Sequence, residues 1–163
     1  MRIYHLLIPI FLLGAATTVN AADIQRDMNN ISQFCLQYIE TGQHTRVLLD
    51  NGFIAKGRKY KKSYNKSVIG GTQPVITIDP RKSRGGFGCS AQFGIIHRND
   101  GYALINTARN AASERGYQPS TYTDKKGRTS NAFQKNGVLM TIGGSAGSSH
   151  STYSANLYFQ RLN

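Results

Sequence analysis

The chain is short of cysteine, of acid and of long apolar runs, and each shortage excludes something. Its 163 residues hold 2 cysteines, Cys35 and Cys89, which are not spaced as Cys-x-x-Cys, the arrangement by which redox enzymes lower a thiol pKa. A structural bridge between them is therefore expected. Closing a loop of that length stabilises a fold by roughly 4 kcal/mol on the chain-entropy account. Acidic residues number 8 against 20 lysines and arginines, a formal charge of +12. No segment approaches the ~20 consecutive apolar residues that a membrane-spanning helix needs, and no internal repeat is visible.

The first element that is present resembles a secretory signal. Arg2 supplies the charged start, Leu6 to Leu13 the apolar stretch, and Val19-Asn20-Ala21 the small-residue cleavage pattern. The expectation is a leader over residues 1–21, cleavage between Ala21 and Ala22, and a single domain over 22–163 working in a periplasm or outside the cell. That compartment oxidises thiols, which suits a Cys35–Cys89 bridge. No cysteine follows the cleavage site to take a lipid. About 140 residues is an ordinary size for one domain with a real core. Arg2 is the one Lys, Arg, Asp or Glu of the leader, so its removal lowers +12 to +11.

Periodicity then places the elements. Ile24, Met28, Ile31, Cys35 and Tyr38 form one helical stripe over residues 23–41, with Asp23 as cap and Gly42 as stop. Val47-Leu48-Leu49 before Asp50-Asn51-Gly52 reads as a short helix, the alternative being a hairpin arm. Strands are expected over 58–64, 74–79 and 87–96. In the last, Phe87, Cys89, Ala91, Phe93 and Ile95 take one face, and Gly88, Ser90, Gln92 and Gly94 the other. Both cysteines thus point at the core, so the first helix should lie across the sheet, bonded to this strand.

A second helix is expected over 100–115, capped by Asn99 or Asp100, stopped by Gly116, and facing inward through Leu104, Ile105, Ala108, Ala111 and Ala112. Residues 117–133 are polar and turn-rich, with a hairpin tip at Asp124 to Arg128. Strands over 137–142 and 152–161 close the chain, the second alternating Tyr153, Ala155, Leu157 and Phe159. The order implies an α+β protein, a two-layer sandwich with a mostly antiparallel sheet, two main helices and one inter-layer disulfide.

Charge concentrates in Lys56, Arg58, Lys59, Lys61, Lys62 and Lys66, with Tyr60 and Tyr64 interleaved. Such a mix holds phosphates by charge and rings by aromatic faces. An edge strand whose lysines block aggregation, with its tyrosines covering the core, has the same composition. Two further clusters, Arg81-Lys82-Ser83-Arg84 and Lys125-Lys126-Gly127-Arg128, are expected in turns.

The catalytic inventory is thin. His44, His97 and His150 follow the leader with no His-x-x-x-His pair among them. His97-Arg98-Asn99-Asp100 is better explained by a helix cap than by acid–base chemistry. Gly143 to Ser151 lacks the Gly-Lys-Ser/Thr ending of a phosphate loop and is expected to be a flexible connection.

The function expected is a non-enzymatic exported binding module that meets an anionic polymer, a membrane surface or an acidic protein. Its contacts would come from Lys56, Arg58, Lys59, Tyr60, Lys61, Lys62, Tyr64, Arg81, Lys82, Arg84, Lys125, Lys126 and Arg128. Nucleic acid is a lesser candidate because no nucleic-acid-binding signature accompanies the charge. No cofactor or metal is expected. The rival is a small hydrolase of anionic polymers using His97, Asp100 or His150. A third reading has the last strand as an open edge that accepts a partner strand.

Overall fold

The structure is a computed structural model that describes residues 21–64, 75–83, 85–94, 98–149 and 152–162. Helix α1 covers Ala21–Thr41. Its stripe of Met28, Ile31, Cys35 and Tyr38 is buried, joined by Phe34, Leu36 and Ile39. Because the helix already runs from Ala21, Asp23 lies within the first turn rather than at the cap and pairs with Arg26 at 2.8 Å. The helix stops at Gly42, whose N–H still reaches the Tyr38 carbonyl at 2.8 Å while its φ of 70° turns the following chain out of the helix. A residue with a Cβ would resist that left-handed turn.

The single-turn helix α2, Val47–Asp50, ends as Gly52 and Phe53 donate to the carbonyls of Leu49 and Leu48. Helix α3 spans Arg98–Glu114. It starts before the expected position, so Asn99 and Asp100 belong to its first turn and do not flank it as caps. Its inward residues Leu104, Ala108, Ala111 and Ala112 are buried, and Ile105 is half-buried.

The strands are β1 Ile54–Lys56, β2 Lys59–Ser63, β3 Val75–Ser83, β4 Gly86–Gly94, β5 Gln118–Thr123, β6 Thr129–Lys135, β7 Val138–Ser149 and β8 Thr152–Leu162. They form an 8-stranded sheet in the order β1-β2-β3-β4-β8-β7-β6-β5, and every pairing is antiparallel. Helix α1 packs against β3, β4 and β8, α3 against β7 and β8, and the two helices touch. The fold is α+β, with three helices among the described residues. Cys35 is bonded to Cys89 across a Cα–Cα distance of 5.4 Å, which ties α1 to β4. The core gathers Phe34, Ile39, Ile78, Ala91, Phe93, Leu157 and Phe159 around that bond.

Three sequence expectations change here. Arg81, Lys82 and Ser83 do not sit in a turn; they continue β3, opposite Gly88, Phe87 and Gly86. Pro80 does not end the strand because β2 begins only at Lys59, so beyond Asp79 one side of β3 has no paired strand among the described residues. A proline, lacking the donor, is tolerated at such a position. Second, Gly143 to Ser149 is not a loose connection but the second half of β7, paired with β8 as far as Ser149 opposite Thr152.

Close approach explains the glycines of that segment. A Cβ on Gly143 would overlap the Tyr158 ring, and one on Gly144 would lie 2.5 Å from the Asn156 carbonyl oxygen and 2.8 Å from Ile105 Cγ1. These glycines let a side chain and α3 lie directly on the strand. Third, β8 is no open edge. It is flanked by β4 and β7, so it cannot accept a partner strand without displacing one of them; the edge strands of the sheet are β1 and β5.

Candidate functional site

Strand alternation divides the basic stretch between two faces. Opposite residues in antiparallel strands share a face, and Tyr60 and Lys62 lie opposite Ile78 and Ile76 of the core. Tyr60 is 7% exposed. Its hydroxyl meets His44 Nδ1 at 2.8 Å, and its ring stands edge-on to Phe34 at 5.1 Å. Lys62 Nζ donates to Asp27 at 2.8 Å and to the Asn51 carbonyl at 3.0 Å, beneath the rings of Phe53 and Tyr64. Tyr64 donates its hydroxyl to the other Asp27 oxygen. Asp27 has no exposed surface. Burial raises the Tyr64 phenol, and the neighbouring Asp27 carboxylate raises it further. Tyr60, Lys62 and Tyr64 therefore belong to the joint between β2, α1 and α2.

The alternate residues Lys59 and Lys61 take the other face. Lys59 lies directly opposite Lys56, and Lys61 opposite both Ile54 and Thr77. Like charges placed opposite one another destabilise a sheet, so this hairpin carries a cost that an anion would relieve. Alongside, Arg58 Nε lies 2.7 Å from Asp79, Arg81 Nη2 2.6 Å and Lys59 Nζ 3.8 Å. Asp79 is only 5% exposed. Burial alone would raise its carboxyl, but hydrogen bonds and charge from Arg58 and Arg81 outweigh that and hold it at about 2. One carboxylate thus faces three cations, and the cluster keeps a positive excess.

The floor beside this cluster follows from register. Asp79 pairs with Ser90, Ser90 with Tyr158, and Tyr158 with Gly143, a row running across β3, β4, β8 and β7. The adjacent row is Thr77, Gln92, Asn156 and Ser145. A depression of about 280 Å³ includes Asp79, Arg81, Ser90, Tyr158 and Gln160 in its lining, and one of about 160 Å³ includes Lys59, Asp79, Arg81, Ser90, Gln92 and Asn156. The two share Asp79, Arg81 and Ser90, so they form a continuous groove. Tyr158 is 49% exposed, its ring laid over Gly143. The groove offers cations at one end, hydroxyl and amide groups along its floor and an aromatic ring at the other end.

The remaining basic residues do not join it. Lys82 turns to the opposite face from Arg81, with Nζ 5.9 Å from the centre of the Phe87 ring. Arg84 lies outside the described residues. Lys125, Lys126 and Arg128 occupy the β5–β6 tip, where Asp124 accepts from the backbone N–H groups of Lys126 and Arg128 and pairs with the Arg128 side chain at 2.6 Å. Strand β6 is five positions from β2, roughly 24 Å of sheet at the usual strand spacing.

His97 and His150 lie outside the described residues, as does the side chain of Asp100. Among the described residues no group of three or more His, Cys, Asp or Glu is placed to hold a metal ion, and no helix is long and apolar enough to cross a membrane. Ser90, Gln92, Asn156, Tyr158 and Gln160 were absent from the sequence-derived candidates. The available signal was the polar half of the β4 and β8 alternation, whose apolar half marks the core.

No family model matches the chain, and no curated protein or solved structure is detectably similar to it.

Proposed function

We propose that the protein is an exported, non-enzymatic binding module that holds an anionic partner on the sheet face turned away from the helices. The observation that carries this reading is the gathering of Arg58, Lys59 and Arg81 around one buried carboxylate, with Lys56 and Lys61 on the same face. Cations that crowd one another without enough acid to neutralise them raise the local concentration of anions and favour their capture. In this reading the molecule is a two-layer sandwich. Helices α1 and α3 cover one face of the sheet, and the other face is the binding floor. The packing of α1 on β3, β4 and β8, and of α3 on β7 and β8, supports that arrangement. Export is supported by the signal-like start and by the Cys35–Cys89 bond, since disulfides persist in oxidising compartments. Envelope polymers, lipid head groups and acidic proteins all present the anionic group that this cluster would meet.

The test is titration of the purified protein with polyglutamate, polyphosphate and anionic lipid vesicles at two salt concentrations. Changing Arg58→Gln together with Arg81→Gln keeps an amide donor beside Asp79 but removes two charges. At low salt the double variant is expected to bind the preferred polyanion about tenfold more weakly, equivalent to about 1.4 kcal/mol, with a shallower salt dependence. Changing Lys125→Gln with Lys126→Gln should leave affinity within about twofold, because the tip lies far from the groove. Equal affinity for the Arg58 and Arg81 variant and the parent would contradict the proposal.

A further inference from the structure

We infer that the ligand of this groove is an acidic carbohydrate, an oligosaccharide that bears carboxylate or sulfate groups. The inference rests on the anion-binding reading above and specifies its ligand. Three features sit side by side on one face and ask for different parts of one molecule. The cluster of Arg58, Lys59 and Arg81 asks for an anionic group. Next to it, Ser90, Gln92, Asn156 and Gln160 present hydroxyl and amide groups, neutral side chains that both donate and accept, as ligand hydroxyls do. At the far end the Tyr158 ring lies on Gly143 and is 49% exposed. An aromatic ring supported from below in this way offers a surface for the C–H face of a sugar.

The spacing sets a minimum length. From β3, which carries Arg81, to β7, on which the Tyr158 ring rests, there are three strand steps, roughly 14 Å. That exceeds one sugar ring, so the ligand must contain at least two.

Single-stranded nucleic acid fits less well. Its binding sites stack successive bases on successive aromatic side chains, but Tyr60 and Tyr64, which alternate with the lysines in sequence, pack with Phe34 and Asp27 on the helix side. Tyr158 is the exposed aromatic ring in the lining of the groove. A single ring followed by amides suits a polyhydroxy chain better than a run of bases.

The experiment is calorimetric titration of the purified protein with a tetramer of galacturonic acid, with maltotetraose as the uncharged control and oligothymidylate as the nucleic-acid control. Three variants are compared with the parent: Tyr158→Ala, Tyr158→Phe, which keeps the ring, and Arg81→Gln. The expected result is that the galacturonate tetramer binds and maltotetraose binds at least tenfold more weakly. Tyr158→Ala should weaken the tetramer roughly five- to tenfold, while Tyr158→Phe stays within about twofold of the parent. Unchanged thermal midpoints separate loss of contact from loss of fold. If Tyr158→Ala binds like the parent while Arg81→Gln is weakened, the carbohydrate inference falls and the anion reading stands. Oligothymidylate bound more tightly than the tetramer through Tyr158 also overturns it. Failure of every polyanion to bind at low salt removes both.

Discussion

Changing Asp27→Ala should cost about 3 to 5 kcal/mol of folding stability, the usual consequence of removing one partner from a buried ion pair. Asp27 has no exposed surface, and the Lys62 side chain is 16% exposed. The loss would leave Lys62 Nζ with the Asn51 carbonyl at 3.0 Å and the faces of Phe53 and Tyr64. The Tyr64 hydroxyl would lose its acceptor at the same time. The fault lies at the one place where α1, α2 and β2 meet, so it should lower the urea midpoint without changing the slope of the transition. Replacing both charges, Asp27→Leu with Lys62→Met, should recover much of the loss, since apolar groups of similar size often serve as well as a buried ion pair. An unfolding free energy for Asp27→Ala within about 1 kcal/mol of the parent would show that the pair contributes little.

Reduction of the Cys35–Cys89 bond is the second large effect. The two cysteines are separated by 54 positions, and their bond joins α1 to the middle of the sheet. A loop of this size corresponds to roughly 4 kcal/mol on the chain-entropy account. Both cysteines are nearly fully buried, so the reductant must wait for the structure to open, and reduction under native conditions should be slow. The measurement is the urea transition of the oxidised protein against a Cys35→Ala, Cys89→Ala double variant, with intact mass confirming a gain of two hydrogens on reduction of the parent. Transitions that coincide would show that packing alone holds α1 on β4.

Much of this architecture is legible in side-chain periodicity, and the departures have physical causes. The α1 stripe and the alternation in β4 place both cysteines on the core side, and the two observations together predict the bond that forms. The stop at Gly42 and the end of α2 at Gly52 follow from their positive φ values of 70° and 81°. Asn51-Gly52 and Asn136-Gly137 look alike in sequence, yet one closes a helical turn while the other joins β6 to β7, with φ of 48° and 77°. What separates them is the preceding segment, Val47-Leu48-Leu49 against the longer strand Thr129–Lys135.

Pro80, just past the strand expected over 74–79, and the glycines of the connection expected from Gly143 both lie within strands, for a common reason. Their ordinary effect on a strand is overridden by what lies next to them: the start of β2 at Lys59 in one case, the Tyr158 ring and Ile105 in the other. Tertiary neighbours of this kind leave no local pattern. The same holds for the candidate site. Composition marks the basic stretch over 56–64, but only the sheet shows that Tyr60, Lys62 and Tyr64 turn inward. Arg81 reaches Asp79 with Arg58 because β3 continues past its proline. Ser90, Gln92 and Asn156 join them through register, which the sequence alone does not specify.

The proposed site is a single location, and backbone amide shift mapping during titration with a saturating polyanion would find it. Perturbations are expected to concentrate on Thr77, Asp79 and Arg81 of β3, Ser90 and Gln92 of β4, and Asn156 and Tyr158 of β8, with the Lys125 to Arg128 tip unmoved. Perturbations confined to that tip, or spread evenly over every exposed lysine and arginine, would contradict it and leave the charge of the chain as solvation alone.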